Sequence, residues 1–255
     1  MSGWAIYPSL KGKSVFITGG GSGIGAAITE AFAQQGAKVA FCDLALEPSN
    51  ALVARLAEAG HGEVLFRQAD VRDIDQLKAA IASAAEAHGP ITALVNNAAR
   101  DDRHAFDTVT PEYWDERFAV NLRHQFFAAQ AVFPMMKEAG GGSIINFGST
   151  SWMIGQGGMP GYTTAKSAVA GLTRALARDF GPYDIRVNCI APGWIMTERQ
   201  KSLWLTPEGI EELMKRQCLK RQLQPVEMAR LALFLAADDS SAMTNQTYVA
   251  DGGWV

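Results

Sequence analysis

A tyrosine and a lysine four residues apart could form one proton-transfer site. Tyr162 and Lys166 lie in a segment rich in helix formers, and residues four apart are neighbours on one helix face. A cation beside a phenol stabilises the phenolate, so we expect Lys166 to lower the pKa of Tyr162 from about 10. Tyr162 would then act as a general base near neutral pH. Ser149 is the candidate hydrogen-bond donor to the reacting oxygen, although it could be an ordinary loop hydroxyl.

A glycine-rich turn near the N-terminus joins a β-rich run to a helix-forming run. Residues 13–18 predict a strand, residues 19–25 hold five glycines, and residues 26–35 favour helix. This order is typical of a dinucleotide site, where the phosphates meet the free N–H groups and the dipole of a helix N-terminus. We therefore predict a bound dinucleotide. The predicted contacts are Gly19, Ser22, Gly23, Ile24 and Gly25.

An acidic residue ends the second predicted strand, at residues 38–43. A carboxylate at Asp43 would accept hydrogen bonds from the adenosine ribose hydroxyls and repel a 2′-phosphate. Neither Ser22 nor Leu44 offers a cation for that phosphate. The pattern favours NAD over NADP, although Asp43 could be a plain turn residue at the strand end.

A second acidic residue follows the third predicted strand. Asp70 could accept a hydrogen bond from the adenine amine, with Val71 beside it, or it could cap the helix that begins near Asp73.

Composition and charge exclude several classes of function. The chain has 255 residues, 48% of them hydrophobic, and a net charge of −3 without a basic run, so nothing favours nucleic-acid binding. No apolar stretch approaches a membrane span, and the histidines show no metal-ligand spacing, so we expect no membrane anchor and no metal. An N-terminus without the blocks of a signal peptide favours the reducing cytoplasm, as do the scattered cysteines. These are Cys42, Cys189 and Cys218.

Apolar β runs alternate with helical stretches along the whole chain. This alternation predicts an α/β fold: one doubly wound Rossmann-type domain over residues 1–255, a seven-stranded parallel sheet with helices on both faces. Ligands of such sheets bind beyond the carboxyl ends of the strands. The predicted strands are 13–18, 38–43, 63–68, 91–96, 142–148, 184–190 and 246–250. The predicted helices are 23–36, 49–59, 73–88, 111–138 (as one or two), 160–180, 206–217 and 225–237.

With these residues assembled, the chain resembles the short-chain dehydrogenase/reductase family over nearly its whole length. The resemblance implies that Asn121 supports a water chain from Lys166 to solvent, although Asn121 could simply brace helix to strand. It also implies a homotetramer and further contacts with NAD, including Tyr162 and Lys166 on the nicotinamide ribose. Ala99 departs from the glycine usual in the family. The further implied cofactor contacts are Asn97, Ala98, Pro192, Gly193, Ile195 and Thr197.

A narrower resemblance concerns the substrate. Residues 5–13, 101–104, 113–117, 121–124 and 146–149 look like those of bacterial aldose 1-dehydrogenases, which act on D-xylose, L-arabinose or D-galactose. This implies NAD-dependent oxidation of an aldose at C1 to an aldonolactone. The alternatives are a carbonyl reductase or alcohol dehydrogenase for oxoacyl, steroid or polyol substrates, and a non-catalytic dinucleotide sensor.

Sugar-binding residues are harder to predict than the catalytic group. Besides Ser149 and Tyr162, the candidates comprise an aromatic face for stacking and polar groups for hydroxyls. We expect residues 194–217 to form a lid over the substrate. Residues 101–104 could be a solvated loop, an ion-paired turn or the rim of the pocket. The further candidate sugar contacts are Trp152, Gln156, Trp194 and Arg199.

Overall fold

The predicted parallel sheet is present in the computed structural model, which describes residues 4–255; the first three residues of the predicted domain lie outside this range. Within the described residues, seven strands form one sheet in the order β3-β2-β1-β4-β5-β6-β7, and every neighbouring pair is parallel. The strands are β1 (Ser14–Thr18), β2 (Lys38–Asp43), β3 (Leu65–Gln68), β4 (Ala93–Asn96), β5 (Gly142–Phe147), β6 (Ile185–Pro192) and β7 (Thr247–Ala250).

Helices connect the strands and cover both faces of the sheet. No helix within residues 4–255 is long and apolar enough to cross a membrane. The α-helices are α1 (Gly23–Gln34), α2 (Leu46–Glu58), α3 (Ile74–His88), α4 (Pro111–Phe118), α5 (His124–Glu138), α6 (Pro160–Phe180), α7 (Glu198–Leu203), α8 (Pro207–Arg216) and α9 (Pro225–Ala236).

Two helices differ from the prediction, and one open choice is resolved. Helix α2 begins at Leu46 rather than at residue 49, because Pro48 is tolerated in a first turn whose N–H groups need no helical partner. The segment 111–138, predicted as one helix or two, forms two α-helices separated by a π-helical turn at Ala119–Arg123. Helix α7 was not predicted; Thr197 begins it by accepting a hydrogen bond from the Gln200 N–H.

Burial on both faces explains why the strands are almost uniformly apolar. Val15 and Ile17 of β1 point to the face covered by α1 and α9, whereas Phe16 points to the face covered by α3 and α5. Side chains of a strand alternate between faces, so a strand buried on both sides loses the apolar–polar alternation. This packing fixes the carboxyl ends of the strands, from which the site is built.

The three cysteines are unpaired, and they differ in exposure. Cys42 in β2 and Cys189 in β6 are buried, whereas Cys218, just after α8, is exposed. Burial raises the pKa of Cys42 to about 12 and that of Cys189 to about 11. Both buried thiols therefore stay protonated near neutral pH.

Candidate active site

A cavity of about 1030 Å³ lies beyond the carboxyl ends of the central strands. It brings together most of the residues that the sequence singled out, whereas Asn121, Asp70 and Trp152 do not line it. The predicted residues along its wall are Gly19, Ser22, Gly23, Ile24, Gly25, Asp43, Val71, Asn97, Ala98, Ser149, Gln156, Tyr162, Lys166, Pro192, Gly193, Trp194, Ile195, Thr197 and Arg199.

Tyr162 lies in the first turn of α6, facing the loop after β5. The Ser149 hydroxyl lies close to this phenol, and its Oγ accepts from the Ser151 N–H at 3.1 Å. Burial raises the pKa of Tyr162 to about 12, although the Ser149 hydrogen bond and the Arg103 charge act in the opposite direction. The prediction that this pKa falls below its ordinary value is therefore wrong for the protein without cofactor.

Lys166 is buried beside Tyr162 but does not offset the effect of burial on the phenol. Its side chain is 1% exposed, and its Nζ donates to the Phe147 carbonyl at 2.7 Å. The Nζ lies 5.9 Å from the centroid of the Tyr162 ring. Burial lowers the pKa of Lys166 itself to about 8. The predicted spacing does place both groups at one cavity, but the loss of water around the phenol raises its pKa, and Lys166 is not among the groups that lower it.

Asn121 lies in the π-helical turn between α4 and α5 and is fully buried. Its Nδ2 donates to the carbonyls of Arg117 at 2.9 Å and Arg100 at 3.1 Å, and its Oδ1 accepts from the Arg100 N–H at 2.9 Å. The side chain thus braces the loop after β4 against the turn. Its expected part in a water chain stays a prediction.

The turn between β1 and α1 has the shape that a dinucleotide phosphate requires. Gly19 has φ +67°, and a Cβ there would lie 2.8 Å from the Ala98 Cα; a Cβ on Gly25 would lie 1.8 Å from the Gly19 carbonyl. Asn97 holds the turn, since its Nδ2 donates to the carbonyls of Thr18 and Gly19. No side chain caps α1, so the first-turn N–H groups that line the cavity can bind phosphate oxygens.

Asp43 is held firmly at the cavity wall. Its Oδ2 accepts from the Gly21 N–H at 2.9 Å, and its Oδ1 accepts from the Ala45 N–H at 3.0 Å. The nearby wall consists of Gly21, Ser22, Leu44 and Pro48, none of which is cationic. The carboxylate therefore both shapes the turn and faces the position expected for a ribose.

Asp70 is paired with Arg72 rather than directed into the cavity. The Arg72 guanidinium donates to Oδ2 through Nε at 2.9 Å and Nη2 at 2.6 Å, and this pairing lowers the pKa of Asp70. The alternative role as a helix cap is wrong, because the Asp73 Oδ1 accepts from the first-turn N–H groups of α3. The adenine contact of Asp70 stays a prediction.

The aromatic residues that line the cavity on the side expected for the substrate differ from those predicted. Trp152 is 37% exposed and does not line the cavity. The chain after Ser149 turns tightly, with the Met153 and Ile154 N–H groups both donating to the Thr150 carbonyl, and this turn places Ile154 at the wall instead. Trp204, which follows α7, lines the cavity and was missed, because no periodicity or spacing marks it.

Arg199 and Gln200 bind protein carboxylates in this conformation. The Arg199 Nη2 lies 2.5 Å from the Asp102 Oδ1, and the Gln200 Nε2 donates to the Asp101 Oδ2 at 2.6 Å. The Trp194 Nε1 donates to the Gln200 Oε1 at 2.9 Å. Residues 101–102 therefore form an ion-paired rim, and Arg199 is unavailable as a direct sugar contact unless this pairing opens.

His104 positions the start of α6, which sequence reasoning also missed. Its Nε2 accepts from the Gly161 N–H at 3.2 Å, next to Tyr162. Its Nδ1 lies 3.0 Å from the Asp102 carbonyl and 3.1 Å from the Tyr113 hydroxyl. A lone histidine in a charged loop carries no signal for such a role.

Comparisons with known proteins agree with this geometry. Residues 19–255 match the family model described as Enoyl-(Acyl carrier protein) reductase. The "Probable galactose dehydrogenase GalD" of Rhizobium meliloti (strain 1021) is 51% identical over 247 residues, which cover 97% of this chain and 96% of the relative. The "D-xylose 1-dehydrogenase" of Caulobacter vibrioides (strain NA1000 / CB15N) is 52% identical over 250 residues, which cover 98% of each chain.

A solved structure supports the same assignment. The "7 alpha-hydroxysteroid dehydrogenase complexed with NADH and 7-oxo glycochenodeoxycholic acid" matches with a TM-score of 0.92 at 32% identity, over 97% of this chain and 96% of that one. The sheet order, the family model and these relatives together show an oxidoreductase that uses a nicotinamide dinucleotide. The chain belongs to the short-chain dehydrogenase/reductase family.

Proposed function

We propose that this protein is an NAD-dependent aldose 1-dehydrogenase, which oxidises a sugar at C1 to the aldonolactone. The observation that carries the proposal is the single cavity in which Ser149, Tyr162 and Lys166 lie beside the glycine turn. The substrate class rests on the relatives named galactose dehydrogenase and D-xylose 1-dehydrogenase, which share about half of their residues with this chain.

The proposed chemistry assigns one task to each polar group. Tyr162 accepts the proton of the C1 hydroxyl, and Ser149 donates a hydrogen bond to the same oxygen as charge grows there. Lys166 stabilises the phenolate form by its charge. Bound NAD supplies the hydride acceptor. The turn at Gly19–Gly25 would hold its phosphates, while Asn97, Ala98, Pro192, Gly193, Ile195 and Thr197 line the path toward the nicotinamide.

The preference for NAD over NADP rests on Asp43. A 2′-phosphate would lie beside a carboxylate already fixed by two backbone N–H groups, and no cation of the adjacent wall compensates. Placing like charges together costs several kcal/mol. We therefore expect NAD to be preferred by at least about tenfold in kcat/KM.

The test is NADH formation across a panel of pentoses and hexoses, run in parallel with NADP. Tyr162→Phe keeps the ring and removes the base, so we expect kcat to fall about 10²- to 10⁴-fold. Tyr183→Phe is the control, because Tyr183 lies on the surface after α6. Near-native turnover by Tyr162→Phe, or no activity on any aldose, would contradict the proposal. Faster reduction of an oxoacyl substrate with NADPH would instead favour a carbonyl reductase.

We further propose a lid and a homotetramer. The lid comprises residues 194–217, which carry α7 and α8 and contribute Trp194, Ile195, Thr197 and Trp204 to the cavity wall. The tetramer is supported by an apolar groove between α5 and α6, with Phe126 40% exposed.

A further inference from the structure

One arginine at the substrate half of the cavity differs from its neighbours in lacking a partner. Arg100, Arg117 and Arg199 approach the Asp102 carboxylate at 3.1, 2.9 and 2.5 Å, respectively. Within residues 4–255, Arg103 forms no ion pair, and its one side-chain hydrogen bond runs from Nη1 to the Met159 sulfur at 3.4 Å. A thioether is a weak acceptor, so most of the five guanidinium donors remain available.

The Arg103 guanidinium is nevertheless held in place. Its Cζ lies 5.1 Å from the centroid of the Trp204 ring, a cation–π contact between the loop after β4 and the proposed lid. Arg103, Trp204 and Tyr162 all line the same cavity. Contact with an aromatic face leaves the N–H groups at the edge of the guanidinium free to bind.

Partial burial of this charge has a cost that a ligand can offset. Loss of water lowers the pKa of Arg103, and no carboxylate pairs with it within the described residues. Hydrogen-bond donors that have lost water are stabilised when oxygen atoms of a ligand accept from them. A ligand that places oxygen acceptors near Arg103 is therefore favoured.

We propose that Arg103 determines sugar specificity by donating two parallel hydrogen bonds to a pair of neighbouring hydroxyl oxygens of the aldose, other than the C1 oxygen. This inference rests on the proposed function. The planar fork of a guanidinium matches two adjacent oxygens, and Trp204 fixes its plane. Asp101 lies close enough to influence Arg103, and its negative charge disfavours a substrate carboxylate at this position. A neutral pair of hydroxyls therefore fits better than a sugar acid.

The experiment compares the best aldose of the panel with its monodeoxy analogues, using kcat/KM for the sugar. In the wild type, loss of either recognised hydroxyl should cost about tenfold. Arg103→Met should lower kcat/KM about 100-fold for the parent sugar, which loses two hydrogen bonds, and about tenfold for each critical monodeoxy sugar, which loses one, so that the tenfold discrimination between them disappears. Arg103→Lys keeps the charge but loses the planar fork, so it should show the same loss of discrimination.

Arg100→Met is the matched control, because it removes a guanidinium of the same loop that is already paired with Asp102. It should leave the discrimination between parent and deoxy sugars unchanged. An unchanged NAD affinity and melting temperature would show that each variant is folded. If Arg103→Met does not fold, Arg103→Lys tests the inference.

Three outcomes would overturn the inference. Equal losses for the parent and every deoxy sugar would show that Arg103 reads no hydroxyl. The same change in discrimination with Arg100→Met would indicate a general charge effect. A wild-type preference for a uronic acid that disappears in Arg103→Met would identify a carboxylate instead. If the wild type oxidises no aldose, the proposed function itself is wrong. If it oxidises an aldose but Arg103→Met leaves the discrimination between parent and deoxy sugars unchanged, only this inference is wrong.

Discussion

The protonation states of Tyr162 and Lys166 together determine which form of the site can oxidise a sugar. Burial raises the pKa of the phenol to about 12 and lowers that of the ammonium to about 8. The species that oxidises a sugar needs a phenolate and an ammonium, one proton fewer than the species at neutral pH. The form with a neutral Lys166 and a protonated phenol carries the same number of protons as the form with a phenolate and an ammonium. The ratio of these two forms therefore does not depend on pH.

The number of protons in the active form predicts how the rate of oxidation depends on pH. The logarithm of kcat/KM for NAD should rise with a slope of about one up to pH ~8, where Lys166 loses its proton, and should then level off. In Lys166→Met, no ammonium limits the rise, so a much lower rate should keep climbing above pH ~8 toward the pKa of Tyr162, about 12. Initial rates of NADH formation measure both curves.

Two results would contradict this prediction. A wild-type rate independent of pH below 8 would show that the phenol has already lost its proton. A Lys166→Met profile that levels off at the wild-type pH would show that another group limits the rate. Tyr183→Phe again serves as the control and should follow the wild-type curve.

Apart from the helical pair Tyr162 and Lys166, many of the residues that the sequence could predict lie at the end of a strand. Asp43 ends β2 and Ser149 follows β5, and the parallel sheet brings such ends to one edge, whatever the loops do. Trp204 and His104 could not be predicted, because loop-to-loop packing places them. The pKa of Tyr162 was wrong for a related reason: spacing reports proximity, but not the water lost on burial.

At the scale of elements, α7 is tied to the loop after β4 by side chains alone. Arg199 and Gln200 reach Asp101 and Asp102, and the Arg199 side chain is 46% exposed. Ion pairs at such exposure contribute about 0–1 kcal/mol. The contacts can therefore open and close near ambient temperature, as a lid requires.

We predict that Arg199→Met loosens this segment without unfolding the protein. Amide protection from hydrogen exchange should fall within residues 198–203, and KM for the sugar should rise about threefold, while the melting temperature barely changes. Arg216→Met is the control, since Arg216 pairs with Glu212 inside α8 at similar exposure. Amides of residues 194–217 as protected as those of β1 and β4 would argue against a lid.

The 111–138 segment, which the sequence left open as one helix or two, shows what a pattern cannot resolve. Helical periodicity continues through Ala119–Arg123, yet the backbone there forms a π-helical turn, in which Asn121 is hydrogen-bonded to Arg100 of the loop after β4. A single inserted residue changes the periodicity too little to be recognised. Its cause is tertiary, so it became visible only once the neighbouring loop was placed.

At the scale of the molecule, one apolar surface is left uncovered between α5 and α6. The groove there measures about 380 Å³, and Phe126 is exposed in it. Of two small residues of α6, Ala168 lines this groove, whereas Ala165 is buried inside the subunit. The lining residues are Phe118, Leu122, Arg123, Phe126, Phe127, Ala168 and Leu172.

We predict that Phe126→Glu breaks the proposed tetramer into smaller species. A charge placed in an apolar contact loses its water without gaining a partner, so association should weaken while each subunit stays folded. Sedimentation velocity measures the mass, and Phe106→Glu is the control, since Phe106 is 83% exposed and lies outside the groove. A wild-type monomer, or a Phe126→Glu tetramer, would contradict the prediction.

The unequal accessibility of the thiols has a practical consequence. Alkylating reagents attack thiolates, and burial keeps Cys42 and Cys189 both protonated and out of reach. Among the described cysteines, Cys218 alone meets the reagent, and its N–H is hydrogen-bonded to the Gly253 carbonyl where α8 meets the C-terminal residues. A fluorophore attached there would sit next to the C-terminal end of the proposed lid, residues 194–217, and could be used to test whether the lid opens, with no engineered cysteine needed.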